Sequence, residues 1–186
     1  MIATFPQTSV VENDLAGAYV LEPSQSTVGF RVKNLFGLMT VHGRFSRFKA
    51  ELDIPADGLE LARVWGEAET ISIETGIGRR DAHLRAKDFL WADEHPQIRY
   101  QSSTVRGMPD QPGAYLVEGT LTVRGVTLPL TLEARLRYVD ADRIVVEASG
   151  VTDRYAFGMT GARGLVPSWV HLEIKATFIR SSGETV

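Results

Sequence analysis

Along most of this chain apolar and polar residues alternate with a period of two, the pattern of strands that keep one face in a core and the other in water. Val28, Phe30 and Val32 share one parity against Thr27, Gly29, Arg31 and Lys33. Ile98, Tyr100 and Ser102 fall on one side of a segment that restarts after Pro96, and Tyr115, Val117, Gly119, Leu121 and Val123 alternate with polar neighbours farther on. Gly125 then predicts a tight hairpin into Val126, Leu128, Leu130, Leu132, Ala134 and Leu136. Ile144, Val146 and Ala148 form another strand, and Val170, Leu172, Ile174, Ala176 and Phe178 oppose His171, Glu173, Lys175 and Thr177 in the last. Between Val64 and Ile73 the two faces are mixed, so the inward one stays unassigned.

Two parity slips interrupt the pattern. Val41, Gly43 and Phe45 share one face whereas Phe48, Ala50, Leu52 and Ile54 share the other, which predicts a β-bulge near Ser46 or Arg47; a second is expected between Ala148 and Val151. Pro129, lacking an N–H, marks an edge position, a bulge or a strand start. From Arg79 to Trp91 the period changes: Ile77 with Leu84, and Ala82 with Phe89, recur at the spacing of a helical face. A lone helical stretch in such a chain belongs at the mouth or rim of a barrel, or at an open sheet edge. About eight strands, mostly hairpin-linked, give an all-β chain that reads as an eight-stranded antiparallel barrel with a short helical segment near one end. A two-sheet sandwich is the alternative. Strand length and the parity slips favour closure.

The 186 residues, 44% hydrophobic, suit one barrel domain over 19–181, with an N-terminal extension at 1–18 and a short tail at 182–186. A net charge of −3 and a pI near 5.8 argue against a nucleic-acid surface. With no cysteine, disulfides, thiolate metal sites and cysteine nucleophiles are excluded. No apolar run reaches bilayer-spanning length, and Met1 to Ala18 lacks the basic start and apolar stretch of a secretory signal. The expected location is therefore cytoplasmic, unless a signal has been removed.

Five phrases together resemble the YceI family of polyisoprenoid-binding, lipocalin-like proteins: Leu21 to Phe30 (LEPSQSTVGF), Val41 to Phe45 (VHGRF), Arg80 to Phe89 (RDAHLRAKDF), Glu118 to Thr127 (EGTLTVRGVT) and Arg154 to Gly158 (RYAFG). They stand in the family's order, and the resemblance runs from Tyr19 to Phe178. It implies an extended eight-stranded barrel, with a helical segment near one end, that encloses an isoprenoid chain such as a polyprenyl diphosphate or a quinone tail. Glu22 and Gln25 stand where the family more often has Asp and His, and Asn34 where a His is common, so any family role for those histidines does not carry over.

On that resemblance, Val28, Phe30, Val32, Phe36 and Phe45 are candidate ligand contacts from the first half, and Ile98, Tyr100, Leu121, Val123, Tyr155, Phe157 and Leu172 from the second. Leu84, Phe89 and Met159 would serve as lid or loop contacts. Arg79, Arg80 and Arg85 would hold a diphosphate headgroup as guanidinium forks, unless Arg80 pairs with Asp81 or Asp81 caps the helix. His42, His83, His95 and His171 lack the spacing of a zinc helix, so no metal or other cofactor is expected. There is no nucleophile elbow, and the Glu67 and Glu69 pair reads as a solvated outer face. Binding, transport or storage of an isoprenoid lipid without enzymatic chemistry is the resulting expectation. Two alternatives stay open: an interaction module with a filled core, and an enzyme acting on a small apolar substrate. Pairing of two barrels into a homodimer is also left open.

Overall fold

The computed structural model describes residues 15–34, 39–140 and 142–181. Its strands are β1 (Gly17–Leu21), β2 (Thr27–Asn34), β3 (Met39–Phe45), β4 (Phe48–Ile54), β5 (Arg63–Glu69), β6 (Ile73–Glu74), β7 (Gln97–Gly107), β8 (Ala114–Val123), β9 (Val126–Asp140), β10 (Arg143–Asp153) and β11 (Trp169–Arg180), with helix α1 (Gly78–Arg85) between β6 and β7. Eight of these strands, β1, β4, β5 and β7 to β11, close an antiparallel ring in which β11 returns to pair with β1. A barrel forms, and the sandwich does not.

The other three strands prolong one side of the ring. β11 pairs with β1 through Phe178 to Arg180 and with β2 through His171 to Lys175, so β1 and β2 are one wall interrupted by the turn Pro23–Gln25. β3 and β4 are likewise one wall broken at Ser46 and Arg47, where the sequence placed a bulge, and β5 and β6 are one broken at Thr70–Ser72. Each break frees backbone groups that must find partners. Hydroxyls supply them. Ser26 Oγ accepts from the Thr177 N–H at 2.9 Å, and Thr177 Oγ1 donates to the Gln25 carbonyl. Ser72 Oγ accepts from the Arg47 N–H at 3.1 Å and donates to the Glu69 carbonyl at 2.7 Å. The polar phrase between Glu22 and Ser26 is thus a splice between two strands.

Beyond Glu69 and Gln97, β5 and β7 no longer pair, and β6 pairs only with β3. Here α1 and the turns after it lie. The helix is shorter than the periodicity predicts, because Ala86 is extended (φ −69°, ψ 168°) and Leu90, Trp91 and Ala92 donate back to the carbonyls of Leu84, Ala86 and Arg85. Phe89 and Leu90 become buried through these turns, while Ile77 and Ala82 stay exposed, so the helical face implied by 77/84 and 82/89 does not form. Asp81 neither caps α1 nor pairs with Arg80. It accepts from the Thr75 N–H at 2.9 Å and from the Thr75 hydroxyl, and Arg80 donates to the same residue's Oγ1 and carbonyl at 2.7 and 2.8 Å.

The slip expected between Ala148 and Val151 is absent, since β10 keeps one register against β11 from Arg143 to Asp153. Gly150 stands at an inward position where an added Cβ would come within 2.7 Å of Leu132 Cδ2, so the apolar period skips a beat without the backbone doing so. Bulges fall instead at Ser102/Thr104 and Arg143/Ile144. Arg124 and Gly125 both have positive φ (53° and 74°), as a two-residue hairpin requires. Pro129 occupies a stretch of β9 that β10 does not reach, a local edge.

Candidate ligand-binding cavity

Inward positions divide the barrel into a filled end and a hollow one. Leu15, Tyr19, Ile54 and Ile144 are nearly inaccessible and pack with Leu52, Leu59 and Val105, and the Tyr19 hydroxyl donates to the Leu15 carbonyl at 2.9 Å. Above them Leu21, Val146, Leu172 and Ile174 point inward yet are only half-buried, because they face a cavity of about 490 Å³. Phe178, Ala176 and Val117 border its lower part. The interior is not filled.

Small side chains make the room. Ala50, Gly66, Ala68 and Ala148 stand at inward wall positions where larger residues would close the lumen, and Val64, Gly66 and Ala68 settle the inward face of β5. Glycines also seat the large residues. A Cβ at residue 43 would fall within 2.2 Å of the Phe30 ring, and one at residue 161 within 2.3 Å of the Phe89 ring. Tyr100 brings a hydroxyl into the wall. Its hydroxyl donates to the Val117 carbonyl at 3.0 Å, and burial pushes its pKa up to about 12, so it remains a neutral phenol.

Val28, Phe30, Val32, Phe45, Ile98, Tyr100, Leu121, Val123 and Leu172 line the cavity, with Leu84, Phe89, Phe157 and Met159 near its open end. Tyr155 does not: it lies between Arg154 (4.5 Å to the ring) and Arg163 (5.1 Å), outside the lumen, whereas Phe157 and Met159 of the same loop line it. Phe36 lies outside the described residues. Of the three arginines assigned to a headgroup, Arg79 is exposed and away from the cavity, Arg85 donates to the Ile73 carbonyl at 2.9 Å, and only Arg80 borders the opening, where Thr75 already engages it. Arg85 and Arg80 therefore strap α1 to the end of β6.

Sequence reading missed Arg154 and weighed His83 only as a metal ligand; both border the opening. Arg154 is 4% exposed and donates to the carbonyls of Gly161 (2.8 Å), Met159 (3.0 Å), Val166 (3.0 Å) and Pro167 (3.1 Å). Burial draws its pKa below the ordinary arginine value, opposed by Tyr155 and Asp153, but a guanidinium stays charged. The Gly161 N–H in turn donates to the Asp88 carbonyl at 2.8 Å, so the β10–β11 loop is fastened to the turns after α1. His83 Nε2 meets Asp88 Oδ2 at 3.1 Å. A lone arginine ahead of Tyr-Ala-Phe-Gly was the only signal. Glu67, read as solvated, is buried on the outer face beneath Lys49 (3.4 Å), Arg99 (2.8 Å) and Gln97 (2.7 Å), while Glu69 pairs with Arg47 in the open. Among the described residues no group of three or more His, Asp or Glu could hold a metal ion, and no helix is long and apolar enough to cross a membrane.

Comparison with known proteins places the geometry. Residues 19–178 match the YceI-like domain. A UPF0312 protein of Yersinia enterocolitica is 30% identical over 165 residues, 86% of this chain and 84% of the relative. Among solved structures, Burkholderia cenocepacia BcnA superposes with a TM-score of 0.76 at 17% identity over 84% of this chain and 98% of its own. A polyisoprenoid binding domain from Saccharophagus degradans does so with 0.68 at 15% identity, over 88% and 98%. At such identities the two structures speak for the fold alone.

Proposed function

This chain belongs to the YceI-like family, and on that premise we propose that it binds one isoprenoid-like lipid inside the barrel, tail toward the filled end, and carries or stores it without chemistry of its own. The observation that supports this reading is the cavity of about 490 Å³, apolar in its wall and bordered at one end by α1 and the β10–β11 loop. Its size falls in the range of roughly 300–1,000 Å³ usual for small-molecule sites. Each methylene removed from water contributes about 0.8 kcal/mol, so a few isoprene units offset the ordering of a flexible chain without any directional contact. Tyr100 spends its hydroxyl on the Val117 carbonyl and offers the lumen no titrating pair. The ligand contacts follow: Phe30, Phe45, Tyr100, Leu121 and Leu172 along the tail, with Leu84, Phe89 and Met159 nearer the headgroup. The polyisoprenoid-binding description of the Saccharophagus domain is consistent with this ligand class.

Native mass spectrometry and organic extraction of the purified protein test the reading. A bound lipid with an isoprenoid mass ladder is the expected result. Lipid-free preparations that also fail to take up long-chain isoprenoids would overturn it.

A further inference from the structure

Water covers several large apolar side chains around the open end of the barrel. Met39 is 64% exposed, Leu165 62% and Trp169 58%, and Ile77 and Val151 are exposed as well. Each lies on a segment that borders the opening. Met39 begins β3 opposite Asn34, Ile77 immediately precedes α1, Leu165 sits in the β10–β11 loop, and Trp169 begins β11 opposite Asp153. A single exposed hydrophobe is ordinary, but five gathered around the opening of an apolar cavity mark an interaction surface. An indole with one wet side is a side chain suited to the headgroup region of a bilayer.

Charge is polarised along the same axis. The open-end segments 75–96, 124–125 and 151–171 carry seven Lys and Arg against five Asp and Glu, although the chain as a whole is at −3. The turn regions at the filled end, 53–63, 106–113 and 140–143, carry six acids against three bases. Among the described residues Lys33, Arg79, Lys87 and Arg163 pair with no carboxylate; Lys87 lies over the Trp91 ring and Arg163 over that of Tyr155.

We propose that the open end docks on the surface of an anionic bilayer. Trp169, Leu165 and Met39 enter the boundary between headgroups and acyl chains, while Lys33, Arg79 and Arg163 face lipid phosphates. The cavity then opens directly onto the hydrocarbon, and a lipid passes between membrane and lumen without exposing its tail to water. This inference rests on the carrier reading above. A protein partner could cover the same apolar collar, but the basic excess and the apolar cavity opening onto that collar favour a lipid surface.

Co-flotation with vesicles of equimolar phosphatidylcholine and phosphatidylglycerol tests it. Association is expected, and it should weaken as salt rises. Lys33→Ala and Arg79→Ala should each lower the partition coefficient about fivefold. Leu165→Glu should lower it tenfold or more, and Leu61→Glu, an exposed leucine at the filled end, should leave it unchanged. In a Trp65→Phe/Trp91→Phe variant the remaining indole, Trp169, should shift to the blue on vesicle addition and be quenched by brominated lipid. Docking is refuted if the wild type ignores the vesicles, if Leu61→Glu weakens binding as much as Leu165→Glu, or if Trp169 is buried by self-association without lipid. Native mass spectrometry of the same preparations keeps the two readings apart. Lipid-loaded protein that ignores vesicles sinks docking alone, whereas vesicle binding by protein that never carries lipid sinks the carrier reading alone.

Discussion

The Ser26 hydroxyl accepts the Thr177 N–H at 2.9 Å and donates to the Glu22 carbonyl at 2.7 Å, standing in for a strand at the point where β11 changes partner from β1 to β2. Ser26→Ala leaves that amide without a partner. It should cost about 1–3 kcal/mol, read as a lower urea midpoint with an unchanged m-value.

Arg154 holds four carbonyls of one loop, so its loss strands several acceptors together. Arg154→Met should cost about 3 kcal/mol or more and speed amide exchange in residues 156–166. Arg154→Lys should restore little, because one ammonium cannot span the guanidinium's fork. A melting temperature within a degree or two of wild type for either variant would refute this role.

Filling the lumen should separate binding from folding. Ala148 lines the cavity opposite Ile174 on β11, and Ala148→Phe would place a ring where the ligand tail is proposed to lie. Stability should change by less than about 1.5 kcal/mol, since the added volume enters a void rather than a filled core. Lipid occupancy by native mass spectrometry should fall at least tenfold.

Acid should weaken the fold partly through Glu67. Burial alone would raise its carboxyl pKa, but hydrogen bonds from Arg99 and Lys49, together with their charge, outweigh that and hold it below the ordinary 4.5. A carboxyl lowered in the folded state contributes stability that is complete above the unfolded value and is lost as pH falls through the folded one. Urea midpoints from pH 7 down to pH 3 should therefore drop less steeply for Glu67→Gln than for wild type. Parallel curves would show that Glu67 has no share in the acid sensitivity.

The strands were legible because inward apolar and outward polar residues are hard to mistake at a period of two, as Leu121, Val123 and Leu172 illustrate. β5 was not. Its inward residues are Val64, Gly66 and Ala68, while Trp65 and the buried Glu67 lie outside, so hydrophobicity points the wrong way where the wall must be thin and the outer face carries a covered carboxylate. Gly150 counterfeited a bulge for a related reason: the space its missing side chain leaves is taken by Leu132. The helix was overextended because Phe89 and Leu90 are buried by turns that no local periodicity encodes. Arg154 escaped notice since its partners are backbone carbonyls, to which side-chain patterns are blind. Of the two aromatic candidates in that loop, Phe157 lines the cavity, whereas Tyr155 stacks between Arg154 and Arg163, contacts that alternation does not encode.

Because Tyr19, Ile54 and Ile144 stopper one end, the barrel is a cul-de-sac and not a channel. On the proposed reading a lipid guest would go in tail first and leave headgroup first, so its polar end would be the part within reach of another molecule. Depth then works as a one-sided gauge. A shorter tail forfeits about 0.8 kcal/mol for each missing methylene, whereas any excess length protrudes past Phe89 and Met159 and gains no wall contact.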